Sequence, residues 1–301
     1  MHDPLRAWRR RVGDVRAGTG RLTSRWRPLP QTLLIGGQRC GTTFLFYALA
    51  DHPGVARPVS KEVGYFTHHW RRDDAWYRGH FPLQPRAGTA LGRRPAVTLD
   101  ATPYYLFHPR AAARAASVVP EAKLLVLLRD PVERAYSHYW HSVHRGWEEL
   151  DFADALAAEE ERLAGETARL LTDPDCVSVP HRVHSYLARG RYAEQLAEWL
   201  RHFPREQLFV ARSEDFFGDP ARWYGEIASF LGLPAWRPDF AAARRAASTL
   251  ASPRHLPMPK AVRAQLQDYY RDDNAALAEL LGWPRTWAAV TDERDTAADR
   301  P

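Results

Sequence analysis

The stretch Leu33–Leu49, LLIGGQRCGTTFLFYAL, joins an apolar run typical of a buried strand to a loop rich in glycine and hydroxyls, and then to an apolar run of helical length. Gly36 and Gly41 have the spacing of the phosphate-binding pattern G-x-x-x-x-G-K-[ST]. Thr42 stands where that pattern has its lysine, and Thr43 follows it. Because free backbone N–H groups and the positive end of the helix dipole converge at a helix start, the stretch predicts an anion site.

The missing lysine narrows the choice of anion. In a nucleoside triphosphatase this lysine contacts the β- and γ-phosphates, so its absence argues against hydrolysis of ATP or GTP and favours a nucleotide with a shorter anionic tail. Arg39 supplies positive charge from inside the loop instead. A strand-to-helix turn without any ligand is the alternative, but the spacing, the paired threonines and the arginine together favour an anion at residues 38–43.

Outside this stretch, strands and helices alternate along the chain. Residues 97–100 and 122–129 are short apolar runs bounded by proline, which predicts buried strands of a parallel sheet, and residues 207–216 predict a further strand. Apolar spacing predicts helices over 131–146, 151–165, 184–204, 219–233 and 259–282. This alternation predicts an α/β, P-loop-like three-layer fold with a central, mainly parallel sheet flanked by helices, and ligands at the carboxyl ends of the strands.

Length and composition predict one large domain. The 301 residues are 45% hydrophobic and show no long Gly/Ser linker, so we expect a basic extension over residues 1–30, one domain over 31–288 and a polar, disordered tail over 289–301. The net charge of +6 suits an anionic ligand. Basic residues mostly alternate with acidic ones along the chain, which favours a solvated surface over a nucleic-acid interface.

The cellular compartment of the protein is predicted from its cysteine content and its hydropathy. Only Cys40 and Cys176 occur, so the sequence supports neither a disulfide framework nor a CxxC metal site, and a reducing cytoplasm is expected. No apolar run approaches the roughly 20 residues of a membrane span. Peripheral contact of the basic N-terminal arm with an anionic membrane stays open, although a loosely packed extension is the favoured interpretation.

Two motifs carry a resemblance to a known family. RCGTT, between a strand and a helix, resembles the 5′-phosphosulfate loop of sulfotransferases that use 3′-phosphoadenylyl sulfate (PAPS), with Arg39 in the position of the usual lysine. The family's second signature is an arginine after a strand and a serine eight residues later, which bind the 3′-phosphate; Arg129 and Ser137 match it. The resemblance covers about residues 31–282 and implies a PAPS site formed by those two residues and by Arg39, Cys40, Gly41, Thr42 and Thr43.

A third segment, VSKEVGYF, resembles the K-E-x-x-F-F segment of the heparan sulfate and related carbohydrate sulfotransferases. By this resemblance Glu62 is the base that takes the proton of the acceptor hydroxyl, with Lys61 beside it. A positioned carboxylate of this kind accelerates transfer by roughly 10²–10⁴-fold. An ordinary exposed Lys–Glu pair is the alternative explanation, which the two PAPS motifs disfavour.

Weaker correspondences extend the predicted site. Asp100 and Ala101 match a segment that borders the acceptor cleft, with Ala101 where some relatives have a catalytic lysine. Arg254 matches the arginine of a loop that closes over PAPS, which implies a contact with the 3′-phosphate, and Tyr192 matches a tyrosine that lines the site or packs beneath it. The histidines lack metal-ligand spacing, so no metal is predicted, but His68 or His69 is a candidate for the acceptor pocket.

The sequence therefore predicts a cytoplasmic, bacterial sulfotransferase that moves a sulfuryl group from PAPS to a hydroxyl and releases adenosine 3′,5′-bisphosphate (PAP). The Glu-base motif favours a carbohydrate acceptor, with a lipid, a peptide or another small molecule left open, as is the oligomeric state. Two other functions stay open: a nucleotide kinase or triphosphatase with a degenerate loop, and a nucleotide-binding protein without catalysis.

Overall fold

The computed structural model describes residues 20–83, 97–248, 256–284 and 287. Its centre is a sheet of five parallel strands in the order β2-β3-β1-β4-β5. The strands are β1 (Thr32–Gly36), β2 (Val55–Ala56), β3 (Val97–Ala101), β4 (Lys123–Leu128) and β5 (Leu208–Arg212). The predicted α/β fold with a parallel sheet is confirmed.

Helices cover both faces of this sheet. They are α1 (Thr42–Ala50), α2 (Asp74–Gly79), α3 (Ala111–Val118), α4 (Pro131–His144), α5 (Phe152–Ala157), α6 (Glu159–Leu163), α7 (Glu166–Thr172), α8 (Val179–Val183), α9 (Tyr192–Leu200), α10 (Ser213–Gly218), α11 (Pro220–Leu231), α12 (Phe240–Ser248), α13 (Lys260–Tyr269) and α14 (Arg271–Leu281). Short 3₁₀ turns occupy Ser24–Trp26, Ala188–Gly190 and Arg205–Gln207. None of the helices in the described ranges is long and apolar enough to cross a membrane.

The alternation of side chains along the strands divides the core into two layers. Leu33 and Ile35 pack into one layer with Phe66 and Trp199, whereas Leu34 packs into the other, on the far side of the sheet. All five residues of β1 are buried. A central parallel strand is covered on both faces, which is why it appears in the sequence as an unbroken apolar run.

Several predicted element boundaries are wrong. The predicted helix over 184–204 is helical only from Tyr192, after the 3₁₀ turn, and the strand predicted over 207–216 ends at Arg212, where α10 follows. The helix predicted over 151–165 divides into α5 and α6, and the one over 259–282 divides at Tyr270. Tyr270 is fully buried and its hydroxyl donates to the carbonyl of Leu187 (3.0 Å), so tertiary packing overrides a continuous helical pattern there.

Candidate active site

The carboxyl ends of the strands bring the predicted site residues to one edge of the sheet. The loop after β1 contains Arg39, and Arg129 directly follows β4. Glu62 reaches the same edge because its N–H donates to the carbonyl of Ala101, the last residue of β3 (3.1 Å). In parallel α/β sheets this edge is where ligands bind.

The loop between β1 and α1 is fixed from two sides. The N–H of Gly37 donates to the carbonyl of Leu127 in β4 (2.6 Å), and the hydroxyl of Ser213 donates to the carbonyl of Cys40 (2.6 Å). Gly41 has φ +85°, and a Cβ there would lie 2.6 Å from the ring of Phe217, so only glycine fits. These contacts hold the loop at the start of α1, where the first N–H groups have no partner within the helix.

Arg39 connects this loop to α4. Its Nε donates to Ser137 Oγ (3.0 Å), and its Nη1 lies 3.5 Å from His141 Nδ1. Burial, together with the nearby positive charge of Arg129, lowers the pKa of Arg39 to about 10. Its guanidinium therefore remains charged at neutral pH, inside a partly desolvated site where its field is strong.

A cleft of about 690 Å³ opens beside this loop. Arg129 lies in its wall and pairs with Glu133 (Nη2–Oε2 3.5 Å), while the hydroxyl of Tyr192 donates to the Arg129 carbonyl (2.9 Å). The cleft is lined by Arg39, Cys40, Gly41, Arg129, Asp130, Glu133, Ser213, Glu214, Phe217, Arg263 and Gln267. Such a combination of loop amides and guanidinium groups is suited to a phosphorylated ligand.

The Lys61–Glu62 pair lies next to the start of α1. Lys61 Nζ donates to Thr43 Oγ1 (2.8 Å) and to Glu62 Oε1 (3.4 Å). The side chain of Glu62 is 60% exposed, whereas that of Lys61 is only 13% exposed. The pair thus presents one accessible carboxylate, which the lysine ties to the loop.

Two of the predicted site residues, Arg39 and Glu62, have a strained backbone. In the part of the chain that the structure describes, Arg39 (φ 68°) and Glu62 (φ 62°) are the non-glycine residues with a left-handed backbone. Such a conformation costs on the order of 1–3 kcal/mol, and strained residues of this kind cluster at active sites and ligand clamps. The strain therefore supports a functional role for both.

A second cavity of about 370 Å³ shares Lys61 with this edge. Its lining combines aromatic and apolar surface with two basic side chains, and consists of Phe46, Tyr47, Arg57, Pro58, Val59, Lys61 and Pro82. Lys61, which donates to Glu62 Oε1 (3.4 Å), connects this cavity with the Glu62 carboxylate, so the cavity is a candidate binding place for an acceptor.

Several predicted site residues are buried and are not among those that line the cleft, namely Thr42, Asp100, Ala101, Ser137 and Tyr192. Asp100 is fully buried and accepts hydrogen bonds from Tyr77 (2.8 Å), Tyr105 (2.8 Å) and Thr102 (2.9 Å), so the prediction that it borders the acceptor cleft is corrected. Tyr192 is also fully buried and acts on the cleft through its bond to the backbone of Arg129. Tyr192 therefore supports Arg129 from the core, whereas the bonds of Asp100 go to buried hydroxyl groups.

The remaining predictions have mixed outcomes. His68 stacks on Tyr104 (ring centroids 5.3 Å apart), and burial lowers the pKa of His68 to about 4, so the ring is neutral. His69 lies against Trp76 (4.9 Å). Arg254 lies outside the described residues. Across the described ranges, no group of three or more His, Cys, Asp or Glu side chains forms a possible metal site, and both cysteines are free.

The structure adds residues that no motif indicated. Arg189 is 4% exposed and donates to the side chain of Gln38 in the loop and to the carbonyl of Arg182 (2.8 Å), with its guanidinium 4.8 Å from the ring of Tyr104. Arg263 enters the cleft from α13. Arg189 lies in a 3₁₀ turn and Arg263 in a helix, and no sequence motif marks either, so only the tertiary structure reveals them.

Comparisons with known proteins identify the family of this chain. The sulfotransferase domain family matches residues 29–266. Heparan sulfate glucosamine 3-O-sulfotransferase 3B1 of Homo sapiens is 33% identical over 69% of this chain and 47% of its own length. The membrane-associated sulfotransferase kil1 of Dictyostelium discoideum is 27% identical over 86% of this chain and 66% of its own. The crystal structure of a sulfotransferase from Alicyclobacillus acidocaldarius superposes with a TM-score of 0.65 at 28% identity, covering 85% of this chain and 99% of that one.

The fold, the site and these matches define the class of protein. The chain belongs to the sulfotransferase family, a family of transferase enzymes. It spans between about half and two thirds of the length of the two curated relatives named above.

Proposed function

We propose that this protein transfers a sulfuryl group from PAPS to a hydroxyl of a carbohydrate or another small acceptor. The observation that carries the proposal is the contact of Arg39 with Ser137, two residues that lie 98 positions apart in the sequence. The contact joins the phosphosulfate loop to the helix of the 3′-phosphate signature. One ligand with a 5′-phosphosulfate and a 3′-phosphate would engage both.

The residues of the cleft fit such a donor. Loop amides at the start of α1 and the guanidinium of Arg39 would bind the 5′-phosphosulfate, with Cys40, Gly41, Thr42 and Thr43 forming the rest of that loop. Arg129 and Ser137 would bind the 3′-phosphate. The predicted contact of Arg254 with that phosphate and the domain limits of residues 31 and 288 remain proposals.

In the proposed reaction, the acceptor oxygen forms a bond to sulfur while the bond from sulfur to the 5′-phosphate oxygen breaks. The electron pair of that bond leaves with the phosphate oxygen, and PAP is released. Glu62 takes the proton of the acceptor hydroxyl, with Lys61 holding the carboxylate beside the loop. Arg39 and the loop amides stabilise the charge that develops on the sulfuryl oxygens and on the leaving phosphate. The scheme uses only groups of this chain and requires no metal.

The acceptor is proposed from the cavity beside Lys61. Tyr47 offers an aromatic face for a sugar ring, and Arg57 and Lys61 offer positive charge for an anionic substituent. The matched 3-O-sulfotransferase is named for a heparan sulfate glucosamine, which favours a sugar hydroxyl here as well. The bacterial cytoplasm stays a prediction from the sequence.

The alternative functions fit less well. A kinase or triphosphatase would need a cation where the loop has Thr42, whose side chain is buried. A protein that only binds nucleotides would have no need for the strained backbone at Glu62 or for an accessible carboxylate tied to the loop.

A transfer assay tests the proposal. The protein is incubated with PAPS and a panel of glycans, phenols, lipids and peptides, and sulfated products and PAP are measured by mass spectrometry. We expect a product that gains one sulfuryl group per PAP formed, at a rate that Glu62→Gln strongly reduces. Magnesium-dependent turnover of ATP in place of PAPS would contradict the proposal, and PAP binding without transfer to any acceptor would favour the non-catalytic alternative.

A further inference from the structure

Charged side chains of both signs line the large cleft. Three arginines (Arg39, Arg129 and Arg263) face three acidic residues (Asp130, Glu133 and Glu214). A cleft with balanced charge attracts a phosphate dianion less strongly than a cationic one. The placement of each carboxylate therefore decides how many arginines are available to a ligand.

Two of the three acidic side chains accept hydrogen bonds from N–H groups that do not belong to the arginines of the cleft. Asp130 caps α4 and accepts from the N–H of Val132 (2.8 Å). Glu214 accepts from the N–H of Asp130 (3.0 Å) and from the indole N–H of Trp287 (3.0 Å). Neither depends on an arginine of the cleft for these bonds.

Glu133 differs because its carboxylate joins two of the arginines. One oxygen lies 2.6 Å from Nη2 of Arg263, and the other lies 3.5 Å from Nη2 of Arg129. The three side chains are each about one third exposed (32–34%), so they stand at the open wall of the cleft. The two guanidinium groups, one from α13 and one from the end of β4, are therefore held around a single anionic group.

We propose that Arg263 is a ligand for the 3′-phosphate of the donor, and that Glu133 occupies the position of that phosphate until the donor replaces it. The inference rests on the proposed function, since it assigns a further residue to the donor site. A phosphate carries more charge than a carboxylate and has three terminal oxygens, so it can pair with both guanidinium groups at once. The displaced carboxylate is already partly hydrated, so its release into solvent costs little.

With this arrangement the cleft distinguishes a nucleotide that has a 3′-phosphate from one that lacks it. Adenosine 5′-phosphate lacks that group and has nothing to displace Glu133, so it gains nothing from Arg263. PAP gains the pairing with both arginines. The contribution of Arg263 is therefore expected in the ratio of the two affinities rather than in nucleotide binding generally.

A merely structural ion pair between α13 and α4 predicts something different. Partly exposed pairs contribute little to stability, and their loss would not discriminate between nucleotides. In that case Arg263→Ala and Glu133→Gln would act alike, with a small loss of thermal stability and an unchanged affinity ratio.

The test is isothermal titration with PAP and with adenosine 5′-phosphate, using wild type, Arg263→Ala and Glu133→Gln. We expect Arg263→Ala to weaken PAP binding about 10- to 100-fold and to leave adenosine 5′-phosphate within about twofold. Glu133→Gln removes the competing charge and should strengthen PAP binding by about two- to fivefold. Arg222→Ala is the matched control, because Arg222 pairs with Glu226 (3.0 Å) on α11, outside the cleft, and its loss removes the same charge.

The outcomes distinguish a failure of the proposed role of Arg263 and Glu133 from a failure of the proposed function. If wild type binds PAP and Arg263→Ala binds it equally well, or if both variants lose affinity for both nucleotides in parallel, the role of Arg263 and Glu133 is overturned while the proposed function stands. If wild type does not bind PAP, the proposed function fails and this inference fails with it. Opposite effects of the two variants, confined to PAP, support the inference.

Discussion

The proposed donor side of the site, at the cleft, and the proposed acceptor side, at Lys61 and Glu62, are built differently. On the donor side, the loop of residues 37–43 and α4 hold one another through side chains, and Ser137, which accepts from Arg39, is only 8% exposed. On the acceptor side, Glu62 is 60% exposed and is held by one backbone bond to β3 and one contact with Lys61. The loop and Ser137 are therefore held by packing, whereas the proposed base is accessible.

This difference is consistent with the proposed chemistry. Rigid protein groups suit a donor of fixed structure. Preorganised charges need no rearrangement when charge develops in the transition state. An acceptor must enter, present one hydroxyl and leave, which requires an open edge. Changes at Glu62 should therefore affect turnover without affecting donor binding, whereas changes in the loop should affect both.

The largest effect is expected at Glu62. Glu62→Gln keeps the size of the side chain but removes the base, so kcat for sulfuryl transfer should fall about 10²–10⁴-fold. PAP affinity, measured by titration, should stay within about twofold because the donor side is intact. An equal loss of PAP affinity would remove the distinction between the two sides.

Arg39 should affect both donor binding and turnover. Arg39→Ala removes the charge beside the phosphosulfate and the bond to Ser137, and we expect kcat to fall about 10²–10³-fold together with weaker PAP binding. Arg39→Lys restores a cation where the resembling family has lysine and should recover most of the rate. Equal rates for the alanine and lysine variants would mean that the charge of Arg39 is not used.

Substitution of Arg189 tests whether this buried side chain stabilises the loop on the proposed donor side. Arg189→Met keeps the apolar stem but leaves Gln38 and the carbonyl of Arg182 without their donor, which should cost about 2–3 kcal/mol of unfolding free energy. PAP affinity should also fall because the loop loses a support. Arg191→Met is the control: it removes an exposed arginine from the same segment, and a cost below about 0.5 kcal/mol is expected. Similar denaturation midpoints for the two variants would show that the buried guanidinium does not stabilise the loop.

The smallest effect concerns Asp130 and depends on pH. Burial raises the pKa of Asp130 to about 6, above its usual value of 3.8, so the folded protein binds this proton more tightly than the unfolded chain does. The contribution of this group to stability is therefore lost as pH rises through 6 and is regained as pH falls toward 4. Asp130→Asn can still cap α4 and should raise the unfolding free energy by about 1–3 kcal/mol at pH 7.5.

The check is a pair of thermal unfolding series at pH 7.5 and pH 4.5. The advantage of Asp130→Asn should shrink clearly at the lower pH. An advantage that is the same at both pH values would exclude protonation of Asp130 as its cause.

The fold and the donor loop were predictable because local sequence determines them. The buried strands leave unbroken apolar runs, and the loop needs a glycine at position 41, where φ is positive and the ring of Phe217 leaves no room for a Cβ. Asp130 and Pro131 likewise mark the start of α4 in the sequence, as a capping side chain followed by proline. These features act over a few residues and so appear as motifs.

The rest could not be predicted because it depends on contacts between distant segments. The division of the last helical run at Tyr270 follows from the burial of its ring against the turn near Leu187. Arg189 and Arg263 belong to no sequence motif, and only their positions in space connect them with the loop and the cleft. Asp100 matched a family segment, yet its three hydroxyl donors come partly from Tyr77, 23 residues away.

If the loop and α4 form one site for PAPS, PAP must bind there, and isothermal titration measures this binding. Wild type and Arg129→Ala are titrated with PAP, and wild type is also titrated with ATP and magnesium. We expect PAP to bind wild type, Arg129→Ala to weaken that binding at least about 10-fold, and ATP to bind more weakly than PAP. Preference for ATP, or PAP binding that does not depend on Arg129, would contradict the assignment of this cleft.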